Sequence, residues 1–333
     1  MNSIMVSIII PVYNVEKCIG KCLESVFTQS YTNIECVIVN DATPDHSMSI
    51  INDLLSLYSG DIKFKIIVHE YNKGLSAARN TGVTNATGDY VFFLDSDDEL
   101  PERSIESFIR CLDKYGNVDF LIGNFDVIGD FYYKLLHSEI LLRSNDEILR
   151  RHISGDLYVM AWGKLINRSF FTEKGIWFIE GILHEDEYFS FCLAMKSNTV
   201  VMIEDIVYRY IIRRNDSITA SKSKRNYWDY LKVIEMKIQL AQEMKVSIKG
   251  MYSYLMSILY GFVTYMFENN CLSMRDKRTM LKQIRCLKKD IKLNDRNLSM
   301  RDCIKGMIIK YSWTILCIVA NVRKVKSRMN VLK

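Results

Sequence analysis

Residues 90–98 read Tyr-Val-Phe-Phe-Leu-Asp-Ser-Asp-Asp, so an apolar run leads directly into three carboxylates. Such a run is typical of a strand buried on both faces, as in a parallel sheet, and parallel strands present functional groups at their carboxyl ends. Because neighbouring carboxylates repel one another, the junction predicts a site for a hard divalent cation that also binds a diphosphate. The alternative is an acidic turn that caps the helix beginning near Pro101.

Strand-like and helix-like patterns alternate regularly around this stretch. Apolar runs predict strands, and the segments between them carry apolar residues at helical spacing, as in Cys22, Leu23 and Val26. This repetition predicts an α/β fold with a Rossmann-like, mostly parallel sheet, right-handed crossovers and ligands in the loops that follow the strands. No Gly-x-Gly-x-x-Gly follows the first strand and no P-loop lysine motif occurs, which argues against a dinucleotide oxidoreductase. The predicted strands are 6–10, 36–39, 64–68, 91–94 and 120–122.

Charge divides the 333-residue chain into two unlike parts. Residues 1–215 hold 20 Lys and Arg against 30 Asp and Glu, a net charge of −10, whereas residues 216–333 hold 24 against 9, a net charge of +15. A basic segment of this kind indicates an anionic partner. Because no nucleic-acid-binding signature accompanies it, we expect no nucleic acid and favour an anionic membrane surface.

Cysteine usage and the start of the chain bear on location. The nine cysteines are scattered without a Cys-x-x-Cys pair, which is typical of a reducing compartment. Residues 1–6 lead directly into the first strand without a basic n-region, so no signal peptide is expected. We therefore expect a cytoplasmic protein, peripheral on the inner face of the cell membrane.

Four blocks occur in a fixed order along the first part of the chain: Ser-Ile-Ile-Ile-Pro-Val-Tyr-Asn at 7–14, Val-Asn-Asp-Ala-Thr-Pro-Asp at 39–45, Asn-Lys-Gly-Leu-Ser-Ala-Ala-Arg-Asn-Thr-Gly at 72–82, and 88–98 with its acidic end. Together they resemble the signature of glycosyltransferase family 2, over about residues 4–215. The resemblance implies a GT-A fold, a nucleotide-sugar donor, Mg²⁺ or Mn²⁺, and inversion at the sugar carbon.

The resemblance also implies a nucleotide site. In it, Asp41 accepts a hydrogen bond from a uracil-type ring nitrogen, for which an ionised carboxylate is suited because it only accepts. The family usually has two acidic residues and a glycine where this chain has Asn40, Asp41 and Ala42, which leaves the base open. Arg79 either binds the diphosphate or holds the acidic cluster in place, with an ordinary salt bridge as the alternative. The further residues implied around the nucleobase are Pro11, Val12 and Tyr13.

The reacting groups follow from the same resemblance. Asp95 resembles the family residue that contacts ribose and metal, Asp97 the direct metal ligand, and Asp98 a supporting carboxylate. The metal would offset charge on the departing nucleoside diphosphate. Asp186 resembles the aspartate base that takes the proton of the acceptor hydroxyl. The alternative for the acidic run 185–187 is compensation of a helix dipole.

Three further residues match family features less closely. Trp162 corresponds to a position near the acceptor and Lys164 to one near the phosphates; alone, the pair reads as a core aromatic and a surface lysine. Arg213 opens a run, 213–219, that resembles the segment folding over the donor diphosphate, since the planar guanidinium grips phosphate oxygens. A basic hinge between the two parts of the chain is the alternative.

The chain is predicted to comprise a GT-A catalytic domain (1–215), a helical region (216–300) and a basic amphipathic helix (301–333). Internal lysines make 304–322 a poor membrane span, and the basic run 323–328 favours an interfacial helix on an anionic leaflet. Alternatively, this helix packs on its own domain or on the mate in a homodimer.

These expectations converge on an inverting, metal-dependent transferase. It would move a sugar from a nucleoside diphosphate, UDP in the first instance, to a hydroxyl of a glycan or lipid-linked saccharide in cell-surface polysaccharide synthesis. The alternative is a catalytically silent nucleotide-sugar-binding subunit of a polysaccharide assembly complex. A nucleotidyltransferase is disfavoured because the glycine-rich triphosphate loop after the first strand is missing.

Overall fold

The computed structural model describes residues 4–129, 138–212, 223–248, 250–268, 271–291 and 300–311. The chain divides into two compact units, Met1–Ser217 and Ile218–Lys333. The predicted domain bounds, at residues 215 and 300, stay a prediction.

The first unit is built on one eight-stranded sheet of order β3-β2-β1-β4-β7-β5-β8-β6. Strands β1, β2, β3 and β4 pair in parallel, as do β5 and β8, whereas β7 runs antiparallel between β4 and β5 and β6 runs antiparallel beside β8. The strands are β1 Val6–Val12, β2 Ile34–Asn40, β3 Lys63–Val68, β4 Tyr90–Phe93, β5 Phe120–Ile128, β6 Ile140–Leu142, β7 Lys164–Asn167 and β8 Val200–Ile211.

This sheet confirms the predicted α/β fold class. All five predicted strands are present, but β6, β7 and β8 were not predicted. β7 has only four residues and begins with a buried lysine, so it lacks the continuous apolar character of β4, which is equally short. Because β7 pairs with both β4 and β5, it joins the amino-terminal parallel strands to β5 and β8. These strands border the site described below.

Helices cover the sheet and fix the loops that follow the strands. Helix α3 packs closely on β1 at Gly82, where a Cβ atom would lie 2.2 Å from a side-chain carbon of Ile9. Glycine at this position therefore lets α3 approach the sheet, and α3 carries Arg79. The helices of the first unit are α1 Ile19–Phe27, α2 Ser47–Leu57, α3 Leu75–Asn85, α4 Ser104–Tyr115, α5 Asn145–Ser154, α6 Arg168–Glu173 and α7 Glu185–Lys196.

The described residues of the second unit form four helices. Its core is apolar and includes Leu231 and Ile234 of α8, Leu259 of α9, and Met280 and Ile284 of α10. Within the described part of the chain, none of the helices combines the length and apolar character needed to cross a membrane. The predicted interfacial segment falls mostly on residues 312–333, which lie outside the described residues. The helices are α8 Lys224–Glu243, α9 Met251–Glu268, α10 Met274–Asp290 and α11 Met300–Tyr311.

Candidate active site

The acidic loop follows β4 at the carboxyl edge of the sheet, as predicted. Asp95 and Asp97 are partly exposed, whereas Asp98 is only 1% exposed. Asp98 accepts hydrogen bonds from the Tyr208 hydroxyl (2.8 Å) and the Ile211 backbone N–H (2.9 Å), and the Asp95 N–H donates to the same hydroxyl (3.2 Å). Strand β8 therefore holds the acidic loop in place.

Three carboxylates concentrate negative charge in this loop. Burial, followed by the charges of Asp97 and Asp95, raises the pKa of Asp98 to about 8. A carboxylate that resists ionisation next to two others marks a place where a cation would be favoured. The predicted ligands Asp95 and Asp97 offer only oxygen atoms, the donors that Mg²⁺ and Mn²⁺ prefer.

The described residues contain no group of three or more acidic, histidine or cysteine side chains arranged to hold a metal ion. Mg²⁺ commonly binds through one or two carboxylates together with substrate phosphates, rather than in an all-protein cage. Two partly exposed carboxylates therefore fit a cation shared with a diphosphate. The assignment of Asp95 and Asp97 as ligands stays a prediction.

Arg79 joins the acidic loop to a second acidic group. Its guanidinium lies 2.7 Å from an Asp95 oxygen and 3.0 Å from an oxygen of Glu185, at the start of α7. The side chain is only 3% exposed, and its guanidinium carbon lies 5.1 Å from the centre of the Phe178 ring. These contacts are those expected of an arginine that holds the acidic cluster in place. Its binding of a diphosphate stays a prediction.

The predicted base, Asp186, lies beside that second acidic group, in the first turn of α7. Its carboxylate accepts a hydrogen bond from the Glu187 N–H (2.9 Å). Burial, followed by the charges of Glu185 and Glu187, raises the pKa of Asp186 to about 6, and Arg79 opposes the rise. A carboxylate with this pKa is ionised at neutral pH and yet binds a proton more readily than an ordinary aspartate, which suits a general base.

Asp41 lies in the loop after β2 and is almost fully buried. It accepts hydrogen bonds from the backbone N–H groups of Lys73 and Gly74, both at 2.8 Å, and lies 2.6 Å from Nδ1 of His69. An ionised carboxylate has about four acceptor positions, so one remains for a ring N–H. Nε2 of His69 lies 2.9 Å from the hydroxyl oxygen of Thr81.

His69 was missed in the sequence, although a signal was available. It is the first residue after β3, and polar residues at the carboxyl ends of parallel strands are candidates for a ligand site. The other predicted nucleobase neighbours lie at the end of β1: Pro11 and Val12 are buried, and Tyr13 is exposed. The Asp41 N–H donates to the Val12 carbonyl (3.0 Å), so the two loops adjoin.

Trp162 and Lys164 lie on or next to β7. The Trp162 ring stacks on Tyr208 at 4.3 Å and 5°, which connects it to the hydroxyl that holds Asp98. Lys164 is buried, so the reading as a surface lysine is wrong. Its ammonium donates to the Met160 carbonyl and lies 4.1 Å from the centre of the Tyr158 ring. Burial lowers the pKa of Lys164, and the charge of Asp186 opposes this shift. Arg213 lies outside the described residues.

The family model for glycosyl transferase family 2 matches residues 7–174 of this chain. Glycosyltransferase GlyA of Streptococcus pneumoniae serotype 4 is 34% identical over 63% of this chain, which spans only 31% of the length of GlyA. EpsH of Bacillus subtilis, also named a glycosyltransferase, is 31% identical over 73% of this chain and 71% of its own length.

Solved structures show the same fold. S. aureus TarS in complex with UDP-GlcNAc superposes with a TM-score of 0.72 at 17% identity, over 97% of this chain and 88% of that one. The fold thus defines a protein of the GT-A class. With the family match, the chain belongs to glycosyl transferase family 2, and the predicted enzyme class, a glycosyltransferase, is confirmed.

Proposed function

We propose that this protein transfers a sugar from a UDP-linked donor to a hydroxyl of a glycan or lipid-linked saccharide, with inversion at the sugar carbon. The observation that carries the proposal is the Arg79 bridge, which contacts Asp95 at 2.7 Å and Glu185 at 3.0 Å. The residue after Glu185 is Asp186. A single buried cation thereby couples the loop proposed to bind the donor to the residue proposed to activate the acceptor.

In this proposal, Asp41 accepts a hydrogen bond from the ring N–H of the base, and the end of β1 lies against the nucleoside. Asp95 and Asp97 would hold Mg²⁺ or Mn²⁺, which when bound offsets charge on the departing diphosphate. Arg79 holds the Asp95 carboxylate in place through their contact at 2.7 Å. Because Asp98 is anchored by β8, the loop is fixed before the donor arrives, which reduces the ordering cost of binding.

Asp186 then acts on the acceptor. Its carboxylate takes the hydroxyl proton while the hydroxyl oxygen forms a bond to the anomeric carbon of the donor sugar. The bond from that carbon to the phosphate oxygen breaks, and its electron pair leaves with the nucleoside diphosphate. Because attack comes from the side opposite the leaving group, configuration inverts. The raised pKa of Asp186, about 6, favours this proton transfer.

Named relatives support the donor and the acceptor class. TarS has been crystallised with UDP-GlcNAc and with UDP. WfgD of Escherichia coli, 28% identical over 69% of this chain, is named a UDP-Glc:α-D-GlcNAc-diphosphoundecaprenol β-1,3-glucosyltransferase. A lipid-linked acceptor would bring the enzyme to the inner face of the cell membrane, where the basic segment 301–333 would contact anionic lipid or mediate a homodimer.

The proposal is tested by nucleoside diphosphate release from UDP-, GDP- and dTDP-sugars with Mn²⁺ or Mg²⁺. We expect release from a UDP-sugar, lost with chelator and in Asp97→Ala and Asp186→Asn. Asp113→Asn, at an exposed position on α4, is the matched control and should leave release unchanged. Donor binding without release from any donor, even with lipid-linked acceptors, would instead favour a catalytically silent subunit.

A further inference from the structure

The exposed cations of α10 lie along one face of that helix. Five of its basic residues are exposed and follow one another at intervals of three or four. At 100° per residue they fall within an arc of about 80°, and they extend over about 21 Å of helix. We name this row the basic stripe. It comprises Arg275, Arg278, Lys282, Arg285 and Lys289.

The rest of α10 explains why the stripe faces outwards. Met280 and Ile284 are buried on the opposite face and anchor the helix in its unit. The two acids of α10, Asp276 and Asp290, project about 100° or more from the centre of the stripe. Asp276 is itself paired with Lys224 at 2.7 Å. The stripe is therefore a row of positive charge that no acid of its own helix interrupts.

The helix beside α10 and the start of α10 itself carry exposed apolar side chains. Helix α11 lies alongside the carboxyl-terminal half of α10: Nε of Arg285 donates to the Ile309 carbonyl (3.3 Å) and Nζ of Lys288 to the Gly306 carbonyl (2.5 Å). On α11, Ile304 is 43% exposed and Met307 53% exposed. Met274, at the start of α10 and at the edge of the stripe, is also exposed.

We propose that the basic stripe is a membrane-docking face that lies along the phosphate groups of an anionic bilayer. A negative leaflet attracts basic residues held near its surface, and exposed apolar side chains next to them can enter the boundary between headgroups and acyl chains. An anionic glycan would be attracted by the same charges but would gain little from exposed isoleucine and methionine. The second part of the chain carries a net charge of +15, which adds to the attraction.

The basic stripe lies outside the segment 301–333 singled out in the sequence, although the exposed Ile304 and Met307 belong to that segment, and the docking does not depend on the transfer reaction. The residues of the stripe are already fixed in a folded helix, and a linear row of charge along one helix matches a flat surface. Docking would therefore be strongest on phosphatidylglycerol-rich vesicles and would weaken as salt screens the charges.

The test measures co-sedimentation of the full chain with vesicles of phosphatidylcholine alone or mixed equally with phosphatidylglycerol. The stripe variant carries Arg275→Gln, Lys282→Gln and Lys289→Gln. The control variant carries Lys21→Gln, Lys63→Gln and Lys232→Gln, exposed positions outside the stripe, and so has the same net charge. We expect the stripe variant to lose about 100-fold in partitioning to anionic vesicles, about fivefold per removed charge, and the control to lose far less.

A second measurement reports contact rather than charge. Cys286 is exposed next to the stripe and can carry a polarity-sensitive dye once the partly exposed Cys18, together with Cys271, Cys303 and Cys317, is replaced by serine. We expect a blue shift on anionic vesicles and none on phosphatidylcholine. Circular dichroism verifies that each variant is folded.

Several outcomes would overturn the proposal. Equal losses in the stripe and control variants would attribute binding to net charge alone. Unchanged partitioning of the stripe variant, or a dye that keeps its aqueous spectrum on bound protein, would show that α10 is not the docking face. If the stripe variant bound vesicles normally but lost affinity for soluble polyphosphate, the stripe would instead be a site for an anionic polymer.

Discussion

Replacement of Asp186 by asparagine is predicted to stabilise the protein while it removes transfer activity. Burial and the neighbouring acids raise the pKa of Asp186 from 3.8 to about 6. Its ionisation in the folded protein is therefore unfavourable compared with ionisation in the unfolded chain. Asparagine has nearly the same shape and no charge, so it removes this cost.

The size of the effect follows from the pKa difference. Each unit corresponds to about 1.4 kcal/mol, so the charged Asp186 costs up to about 3 kcal/mol of folding free energy at pH values well above 6. The residue is partly exposed and the asparagine amide needs a hydrogen-bond acceptor, so we expect a gain of about 2 kcal/mol. Because the pKa of Asp186 is raised in the folded protein, the cost of its charge is absent at pH values below the pKa of the unfolded chain and grows as pH rises. The stability gained by Asp186→Asn should therefore fall to about one third near pH 4.5.

The assay is urea unfolding of the full chain at about pH 8 and about pH 4.5, with Asp113→Asn as the control for loss of one exposed negative charge. In parallel, kcat of the native chain should rise with pH through about 6, and Asp186→Asn should lower kcat by about 10²- to 10⁴-fold. A destabilised Asp186→Asn, or a gain that does not change with pH, would refute the proposed environment of this carboxylate.

Three further outcomes are expected. Ala42 has a φ of 54°, which strains the backbone of any residue with a side chain and favours glycine. Ala42→Gly should therefore raise the free energy of unfolding, measured in urea, by about 1 kcal/mol. An unchanged or lower value would contradict strain at this position. His69→Ala should raise the KM for the sugar donor more than it lowers kcat. His69→Asn places a hydrogen-bond donor near the position of Nδ1 and should recover part of this loss. Equal losses in both variants would argue that His69 does not position Asp41. Tyr208→Phe should cost about 1–3 kcal/mol because Asp98 loses a buried hydrogen bond, whereas Tyr13→Phe, at an exposed position, should cost almost nothing.

The parallel half of the fold could be predicted because apolar residues dominate each strand there, even where a charged residue such as Lys65 of β3 interrupts the run. β1, for example, is buried along its whole length, and its seven residues are mostly β-branched. β7 escaped prediction because its four residues include Lys164, whose charge masks a buried position. The ammonium is tolerated there because a carbonyl and the Tyr158 ring surround it, and neither partner can be identified from spacing alone.

Only part of the candidate site could likewise be predicted from the sequence. Asp41, Asp95 and Asp97 follow predicted strands, so their position at the carboxyl edge could be anticipated from the pattern. The pairing of Arg79 with Glu185 joins residues 106 positions apart, and local periodicity carries no information on such a contact. The pairing of His69 with Asp41 could be identified only from the register in which β3 pairs with β2.

We propose that one buried bridge couples a donor loop to a base on α7. The most direct test measures, on the same Asp186→Asn protein, UDP binding with Mn²⁺ and UDP release from the donor sugar with acceptor present. We predict binding equal to that of the native chain with release reduced at least about 100-fold. Release at the native rate with intact binding would contradict the assignment of Asp186 as the base and the proposed transfer of a sugar at this site.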